Sequence, residues 1–449
     1  MPLIHQKSAE IYARSRVLIP GGCVSLNRRV EPEIVFVRGE GAYIYDADGN
    51  RYLDYHAAFA PFLLGHACPQ VDAAVRQAMD EGWLLSGSGT APWEADAAEL
   101  LCACVPTLQQ VQFTTTGSEA TYHALRLSRA YTGRPDIVVM QGGYNGYHDE
   151  VACNVMTPIS AIGPRNPGGE YPFVPLTAGM PPGIEEHVHV VGFNDTAALE
   201  NLFKTGKIAC LLSEPILQNI GLVKPLPGYW QTVRNLCTRY GVVLALDEVK
   251  TGFRHAIAGY QSILGIVPDL SIFGKAIANG YPLGAIGGKA EIMNLFDAPD
   301  SAKRVMISGT YNGHPLVMAA AIGTMRHLLQ SDGAIHSRLD ALGAALEQGL
   351  QELFQQAGIP AVVVRQASAF CVYFMDHAPF DWHDIAENHN MELDVRYRRA
   401  LIERGIYQFP LATKQGSISA AHTNNDIEMT LAAVSKALKS SELMGKAGT

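Results

Sequence analysis

Between about residues 75 and 320, short apolar runs alternate with stretches of helical character. The apolar runs include QVQFTTT, DIVVMQ, HVHVVGF, IACLLSEPI, GVVLALDEV and DLSIFGK. Continuous β-branched and apolar runs that are separated by helices are typical of a mostly parallel sheet covered on both faces. The pattern therefore predicts an α/β fold, in which ligands bind beyond the carboxyl ends of the strands.

The two ends of the chain have a different pattern. A helix-like N-terminus leads to a Pro-Gly-Gly break at Pro20–Gly22, and GAYIYDADGNRYLDY at 41–55 predicts a β-hairpin with a tight turn. After Ser331 helical stretches dominate, and AVVVRQASAFCVYFM predicts a pair of strands within them. These ends are typical of a separate small α+β lobe.

We therefore predict three segments along the chain. Residues 1–60 form an N-terminal helix and hairpin that belong to the small lobe, 61–325 form the large domain, and 326–449 form the C-terminal small α+β domain. The segment 156–186 is rich in glycine and proline. A loop of that length is often an active-site lid, so we expect it to close over a ligand.

Composition excludes several classes of function. Apolar residues make up 48% of the chain, charged residues make up 17%, and the formal net charge is −9. The acidic balance argues against a nucleic-acid partner, because phosphate binding requires a basic face. No apolar stretch is long enough to span a membrane, and the eight cysteines form no CxxC pair. We therefore expect free thiols, no membrane partner and a cytoplasmic location.

Two charged residues follow buried strands in the predicted sheet. Asp247 ends the run GVVLALD, and Lys275 follows the run DLSIFG 28 positions later. Alone, Asp247 could equally cap a helix, and the two residues could form a simple salt bridge. Pyridoxal 5'-phosphate (PLP) requires the same two groups, because a lysine amine forms an imine with it and a carboxylate pairs with its ring nitrogen. The carboxylate favours the protonated ring through opposite charge.

Two further motifs fit the same ligand. In FTTTGSEATYHALRLSRAYTGR, Gly117 and Ser118 open a helix whose free N–H groups could hold a phosphate, although an ordinary capped helix would look similar. In MQGGYNGYHD, Tyr144 could lie flat against an aromatic ring, or it could be an exposed tyrosine in a surface turn.

Taken together, the motifs resemble those of the class III (ω-) PLP-dependent aminotransferases, in particular the glutamate-1-semialdehyde 2,1-aminomutase branch. The resemblance rests on GSEA, GGYNGYHD, SEPI, DEVKTGFR, FGKAIANGYPLGAIGG and SGTYNGHPLVMAAA, in the order of the family, and runs from about Pro20 to Ile427. It implies the fold type I architecture of PLP-dependent transferases, with a large domain around a mostly parallel sheet and a small α+β domain.

The resemblance also implies roles for individual residues. Those that match the cofactor site are Lys275 as the Schiff-base lysine, Asp247 as the partner of the pyridine nitrogen, Val249 under the ring, Tyr144 on its other face, Gly117 and Ser118 at the phosphate, Asn219 near the ring hydroxyl and Glu214 close by. Thr310 matches a threonine that reaches the phosphate of the neighbouring subunit. The resemblance thus implies a homodimer with shared active sites.

The substrate side of the site departs from the aminomutase pattern. Arg28 aligns with the arginine that clamps the substrate carboxylate, although it could be an ordinary exposed arginine, and Phe59 is expected to line the pocket. Tyr-Asn-Gly-Tyr stands at 144–147 instead of Tyr-His-Gly-His, and the segment 154–186 lacks a Gly-Ser-Gly run. Lys414 stands where the aminomutases have an acidic residue, so a lysine facing the pocket would favour a second carboxylate and repel a diamino intermediate.

We therefore predict a PLP-dependent aminotransferase that moves an amino group between an amino acid, including the β- and D-types, and an oxo acid through a Lys275 Schiff base. The alternatives are intramolecular transfer of the aminomutase type, racemisation or decarboxylation, and a non-catalytic protein that has kept the fold. The HVH at 187–189 raises a metal site, but no third ligand is evident and we expect no metal.

Overall fold

The structure is a computed structural model that describes residues 3–440 of the 449-residue chain. The described residues form two compact units. The first unit contains Pro69–His336 and Pro379–Asn388, and the second contains Met1–Cys68, Ser337–Ala378 and His389–Thr449 as far as they are described. The domain assignment made from the sequence stays a prediction.

The strands are numbered in chain order. They are β1 Phe36–Glu40, β2 Tyr43–Asp46, β3 Arg51–Asp54, β4 Gln110–Thr114, β5 Asp136–Met140, β6 Glu170–Tyr171, β7 Val188–Val191, β8 Ile208–Ser213, β9 Val243–Asp247, β10 Leu270–Gly274, β11 Gly284–Gly288, β12 Val362–Gln366, β13 Ala369–Tyr373, β14 Ile406–Tyr407 and β15 Gly416–Ser417.

The α-helices are numbered in the same way. They are α1 Gln6–Leu18, α2 Pro69–Asp80, α3 Pro92–Cys104, α4 Gly117–Thr132, α5 Ile159–Ile162, α6 Thr196–Phe203, α7 Tyr229–Tyr240, α8 Tyr260–Leu264, α9 Ala290–Met293, α10 Pro315–Gln330, α11 Ala334–Ala357, α12 Trp382–Asn388, α13 Met391–Ile402 and α14 Asn424–Leu438. Short 3₁₀ turns lie at Pro20–Gly22, Leu26–Arg28, Ile184–Glu186, Lys275–Ala278 and Asn294–Asp297.

The first unit is built on an eight-stranded sheet in the order β4-β11-β10-β9-β8-β5-β7-β6. Strands β10, β9, β8, β5 and β7 pair in parallel, whereas β11 is antiparallel to both of its neighbours and β6 is antiparallel to β7. Every residue of β5, β8, β9, β10 and β11 is buried. The structure thus confirms the predicted α/β fold with a mostly parallel sheet, which its continuous apolar runs require.

Helix α4 follows the edge strand β4 and begins at a defined cap. The Thr116 side chain accepts the N–H of Glu119, and the Glu119 carboxylate accepts the N–H of Thr116, which together form a capping box. At the other end the chain leaves the helix through Gly133 at φ +69°, a left-handed conformation that favours glycine. The cap fixes where the free end of the helix lies along the sheet edge.

The second unit contains the predicted hairpin and strand pair. Strands β2 and β3 pair antiparallel with Ile44 opposite Tyr52, and β1 and β14 extend them to a four-stranded sheet. Strands β12 and β13 also pair antiparallel, and β15 adds a third strand. Both predictions are therefore confirmed. Among residues 3–440, no helix combines the length and the apolar character that crossing a membrane requires.

Candidate active site

Lys275 and Asp247 lie at the carboxyl edge of the central sheet. Strands β9 and β10 are parallel neighbours, and Ile272 of β10 lies opposite Asp247, the last residue of β9. Lys275 follows three residues after Ile272, where the chain leaves the strand in a 3₁₀ turn. The order of the strands thus brings the amine and the carboxylate to neighbouring strand ends, as we predicted from the sequence.

The Asp247 carboxylate is buried, and each of its oxygens accepts a hydrogen bond. Asn145 Nδ2 donates to Oδ2 at 2.8 Å, and the Val249 N–H donates to Oδ1 at 3.0 Å. Burial raises the pKa of Asp247, while the two hydrogen bonds and the positive charge of Lys275 oppose the rise. The site therefore provides an oriented acid at the end of β9.

Lys275 adopts φ +49°, a left-handed conformation that is unusual for a residue with a side chain. Such a conformation is unfavourable by about 1–3 kcal/mol and is frequent at functional sites. Burial lowers the pKa of the Lys275 amine, the charges of Asp247 and Glu214 oppose this, and Arg254 adds to it. A lowered pKa leaves more of the amine unprotonated, which is the form that acts as nucleophile and base.

Glu214 lies immediately after β8 and anchors two backbone segments. Its carboxylate accepts the N–H of Tyr144 at 3.0 Å and the N–H of Gln218 at 3.0 Å. Burial raises the pKa of Glu214 to about 7, the negative charge of Asp247 adds to the rise, and Lys250 opposes it. Tyr144 is half-buried and is thereby fixed to the same edge of the sheet.

The start of α4 provides a cradle for an anion. The capping box occupies the N–H groups of Thr116 and Glu119, but those of Gly117 and Ser118 make no hydrogen bond with any residue in 3–440. A Cβ added at Gly146, which has φ +129°, would lie 2.9 Å from Ser118 Oγ. Only a glycine lets the chain pass this close to the helix start, where the N–H groups and the helix dipole favour a phosphate.

The remaining cofactor candidates also belong to the first unit. A Cβ added at Gly117 would lie 2.8 Å from Val249 Cγ2, so the Val249 side chain covers the first residue of α4. Asn219 is half-buried and follows the segment that Glu214 anchors, whereas Thr310 is exposed in the chain before α10. The structure therefore collects Val249 and the start of α4 in one place and leaves Thr310 on the surface of this unit.

The substrate candidates belong to the second unit. Arg28 is exposed in the turn Leu26–Arg28. Phe59 is half-buried within a run of positive φ values and packs 5.0 Å from the ring of Phe409, and Lys414 is half-buried. Their roles at the pocket stay predictions.

Sequence reasoning missed Asn145. Its side chain contacts the key carboxylate, although we had noted Tyr-Asn-Gly-Tyr only as a departure from the aminomutase pattern. The departure itself was the available signal, because a residue that replaces an expected histidine beside a glycine-rich turn can take over its hydrogen bond.

The two histidines of HVH are held by carboxylates from neighbouring strands. His187 Nδ1 lies 2.7 Å from Asp136, and His189 Nδ1 lies 2.6 Å from Glu170. These contacts give both residues a structural explanation.

Comparison with known proteins decides the family. The model of the class-III aminotransferases matches residues 25–393 of the chain. The chain belongs to the class-III aminotransferase family. It is 36% identical to glutamate-1-semialdehyde 2,1-aminomutase from Desulforudis audaxviator over 441 residues, which cover 97% of this chain and 98% of that protein.

Two solved structures show how far the similarity of fold extends. An omega-transaminase from Sphaerobacter thermophilus superposes with a TM-score of 0.90 at 32% identity, covering 98% of each chain. The β-phenylalanine aminotransferase from Variovorax paradoxus superposes with a TM-score of 0.81 at 29% identity, covering 96% of this chain and 93% of its own. This class-III aminotransferase is a PLP-dependent enzyme of fold type I that acts on small amino and oxo compounds.

The residues at the sheet edge fit the cofactor of this family. A lysine amine with a lowered pKa suits the PLP aldehyde, and the buried Asp247 carboxylate suits a protonated ring nitrogen. The free N–H groups of Gly117 and Ser118 suit a phosphate, and Gly146 leaves room beside them. The donor set of this chain therefore matches every charged or polar part of PLP.

Proposed function

We propose that the chain is a transaminase in which Lys275 is the catalytic lysine and Asp247 is the acid that pairs with the cofactor ring. The observation that carries the proposal is the geometry of one sheet edge. A lysine with a lowered pKa and a buried carboxylate end neighbouring parallel strands, in the same unit as a helix start with free N–H groups.

Each residue has a defined task in this mechanism. Bound PLP withdraws electrons from the carbon that bears the substrate amine, and Asp247 supports this by holding a negative charge at the ring nitrogen. Lys275 Nζ removes the proton from that carbon and returns it on the other side of the amino transfer. Proton transfer by a positioned side chain contributes about 10²- to 10⁴-fold to the rate.

The other cofactor contacts follow from the positions of the side chains. Gly117 and Ser118 bind the phosphate through backbone N–H groups and the Ser118 hydroxyl. Tyr144 and Val249 cover the two faces of the ring, and Asn219 lies near the ring hydroxyl. Glu214 supports Tyr144 through its backbone N–H, which the 3.0 Å hydrogen bond places.

We further propose a homodimer in which Thr310 reaches the phosphate of the second subunit. The exposed apolar residues Leu84, Met306 and Tyr311 support it, because large apolar side chains on the surface mark association sites. The free thiols of the eight cysteines support a reducing compartment, which is the cytoplasm in our proposal.

For the substrate we propose an amino acid with a second carboxylate or a β-amino acid. Arg28 would clamp one carboxylate, Lys414 would attract a second negative charge, and Phe59 would line the pocket. An intramolecular aminomutase is the second candidate, and the 36% identity to an aminomutase favours it. The two differ in one assay, because a mutase converts a single amino compound completely, whereas a transaminase without an oxo acceptor stops after one turnover per site.

The catalytic assignment is tested by trapping the lysine. The PLP-loaded protein is reduced with borohydride, and peptide mass spectrometry is expected to find the adduct on Lys275. Lys275→Ala should lose the visible absorption band and turnover. Lys289→Ala is the matched control, because Lys289 binds Asp269 at 2.7 Å just beyond the opposite end of β11. A Lys275→Ala variant that still turns over would refute the assignment.

A further inference from the structure

We propose that Asn145 is a positioning residue, whose side-chain amide holds the Asp247 carboxylate toward the cofactor through a donor that does not titrate. The inference rests on the proposed role of Asp247 and adds to it the residue that keeps this acid in place.

The first argument is the geometry of the contact. Asn145 is buried, and its Nδ2 donates to Asp247 Oδ2 at 2.8 Å, while the Val249 N–H donates to Oδ1 at 3.0 Å. One donor on each oxygen fixes the rotation of the carboxylate about its Cβ–Cγ bond. Each oxygen keeps a further lone pair, so the acid remains able to pair with a ring nitrogen.

The second argument is that the backbone of Asn145 is itself anchored on both sides. The Asn145 carbonyl accepts the Thr121 hydroxyl at 2.7 Å, and the preceding Tyr144 N–H donates to Glu214 at 3.0 Å. The following Gly146 lies against Ser118. The amide therefore reaches Asp247 from a fixed support, and this is what a positioning role requires.

The third argument is the charge at this buried position. The groups that interact electrostatically with Asp247 are Lys275, Glu214, Glu248 and Tyr144, of which only Lys275 is cationic. Burial raises the pKa of Asp247, and the hydrogen bond from Asn145 is the largest influence that lowers it. A histidine, as in the aminomutase pattern, changes its charge near neutrality, whereas an amide keeps its two donors at every pH.

The first test is cofactor binding to the apoprotein. Asn145→Ala is expected to weaken PLP binding about 10- to 100-fold, the range expected for a hydrogen bond to a charged group, and to shift the pH midpoint of the bound cofactor's visible absorption. Asn154→Ala is the control. Asn154 is buried and donates to Gln141 at 2.8 Å, so its loss should lower stability and leave that midpoint in place.

The second test exchanges the two groups and needs no cofactor. Asn145→Asp places two carboxylates in contact, and they cannot both ionise, so one pKa rises. The folded form then binds a proton that the unfolded chain releases above about pH 4, and the apoprotein's melting temperature falls relative to the wild type as pH rises toward 7. The double variant Asn145→Asp with Asp247→Asn restores one acid and one amide. It should recover stability but not PLP binding.

The outcomes separate this inference from the proposed function. Wild-type PLP affinity and an unmoved absorption midpoint in Asn145→Ala would overturn the positioning role, and so would an exchange variant as unstable as the two single changes combined. If the wild-type protein formed no adduct at Lys275, the proposed function would fail, while the melting curves would still decide whether the two side chains are in contact.

Discussion

Replacing Gly117 with alanine perturbs the point where the helix start and the ring-covering valine meet. The added methyl group would lie 2.8 Å from Val249 Cγ2 and 3.1 Å from Val249 Cγ1. Carbon atoms that pack favourably stay about 3.5–4.0 Å apart. One of the two elements must therefore move by several tenths of an ångström.

The magnitude follows from two opposing effects. Alanine favours a helix over glycine by up to about 1 kcal/mol, and the gain is smaller at a first helical residue such as Gly117. Overpacking a close contact destabilises by about 1–3 kcal/mol. Val249 has little room to retreat, because a Cβ at Gly274 would already lie 3.3 Å from its Cγ1. The clash should prevail, and we expect a net loss of about 1–2 kcal/mol.

Cofactor binding should fall together with stability. If α4 moves, the free N–H groups of Gly117 and Ser118 leave the position in which they meet a phosphate. If Val249 moves, the surface under the ring changes. Either shift weakens PLP binding, so the two observables are expected to change together in this variant.

The assay is a double-mutant cycle on the apoprotein. Urea midpoints and PLP affinities are measured for the wild type, Gly117→Ala, Val249→Ala and the double variant. Truncating Val249 removes both clashing methyl groups, so the double variant should be more stable than the sum of the single effects by about 1 kcal/mol or more. Gly117→Ala with the wild-type urea midpoint and PLP affinity would refute the reasoning, and an additive cycle would exclude Val249 as the contact.

Three further predictions concern other groups. Burial raises the pKa of Glu214 to about 7, so the apoprotein loses stability between pH 4.5 and 7 as this proton dissociates, and Glu214→Gln should flatten the melting temperature over that range. Asp394→Asn leaves Arg398, its buried partner at 2.6 Å, without a counter-charge and should destabilise by about 3–5 kcal/mol; Asp340→Asn, at an exposed pair, should change stability by less than about 1 kcal/mol in the same urea series. Lys414→Glu should reduce kcat/KM for dicarboxylic donors at least about tenfold and spare monocarboxylic ones, and an unchanged donor panel would exclude Lys414 from the pocket.

The strand ends of the first unit were predictable because burial leaves few explanations for a charge there. Asp247 and Lys275 each follow a continuous apolar run, and parallel strands place their carboxyl ends on one edge. The hairpin was predictable for a similar reason, since Asp-Ala-Asp-Gly-Asn between alternating residues is a strong turn signal.

Contacts between distant loops were not predictable in this way. Asn145 reaches an acid 102 positions away, and its polar side chain would suit a surface turn equally well. The substrate candidates Arg28, Phe59 and Lys414 come from three separate segments, and no local pattern specifies what their side chains meet. Such contacts depend on the tertiary fold and not on periodicity.

Strand β11 shows why a weak local signal can belong to a central element. Its sequence, Gly-Ala-Ile-Gly-Gly, has low strand propensity, yet it lies between β10 and β4. A Cβ at Gly284 would lie 2.2 Å from the Thr116 carbonyl oxygen, and one at Gly288 would lie 2.2 Å from that of Asp269. Glycine is required here because neighbouring backbones approach too closely for any side chain.

The same strand explains how the two halves of the cofactor site are aligned. Gly284, the first residue of β11, pairs with Gly274 on one side and with Thr114 on the other, which are the last residues of β10 and β4. Because β11 runs antiparallel to both, its register brings those two carboxyl ends level. Lys275 follows Gly274 directly, and the free N–H groups of α4 follow Thr114 after two residues. The distance between the amine and the phosphate cradle is therefore set by one glycine strand, whose lack of side chains lets the flanking backbones come close.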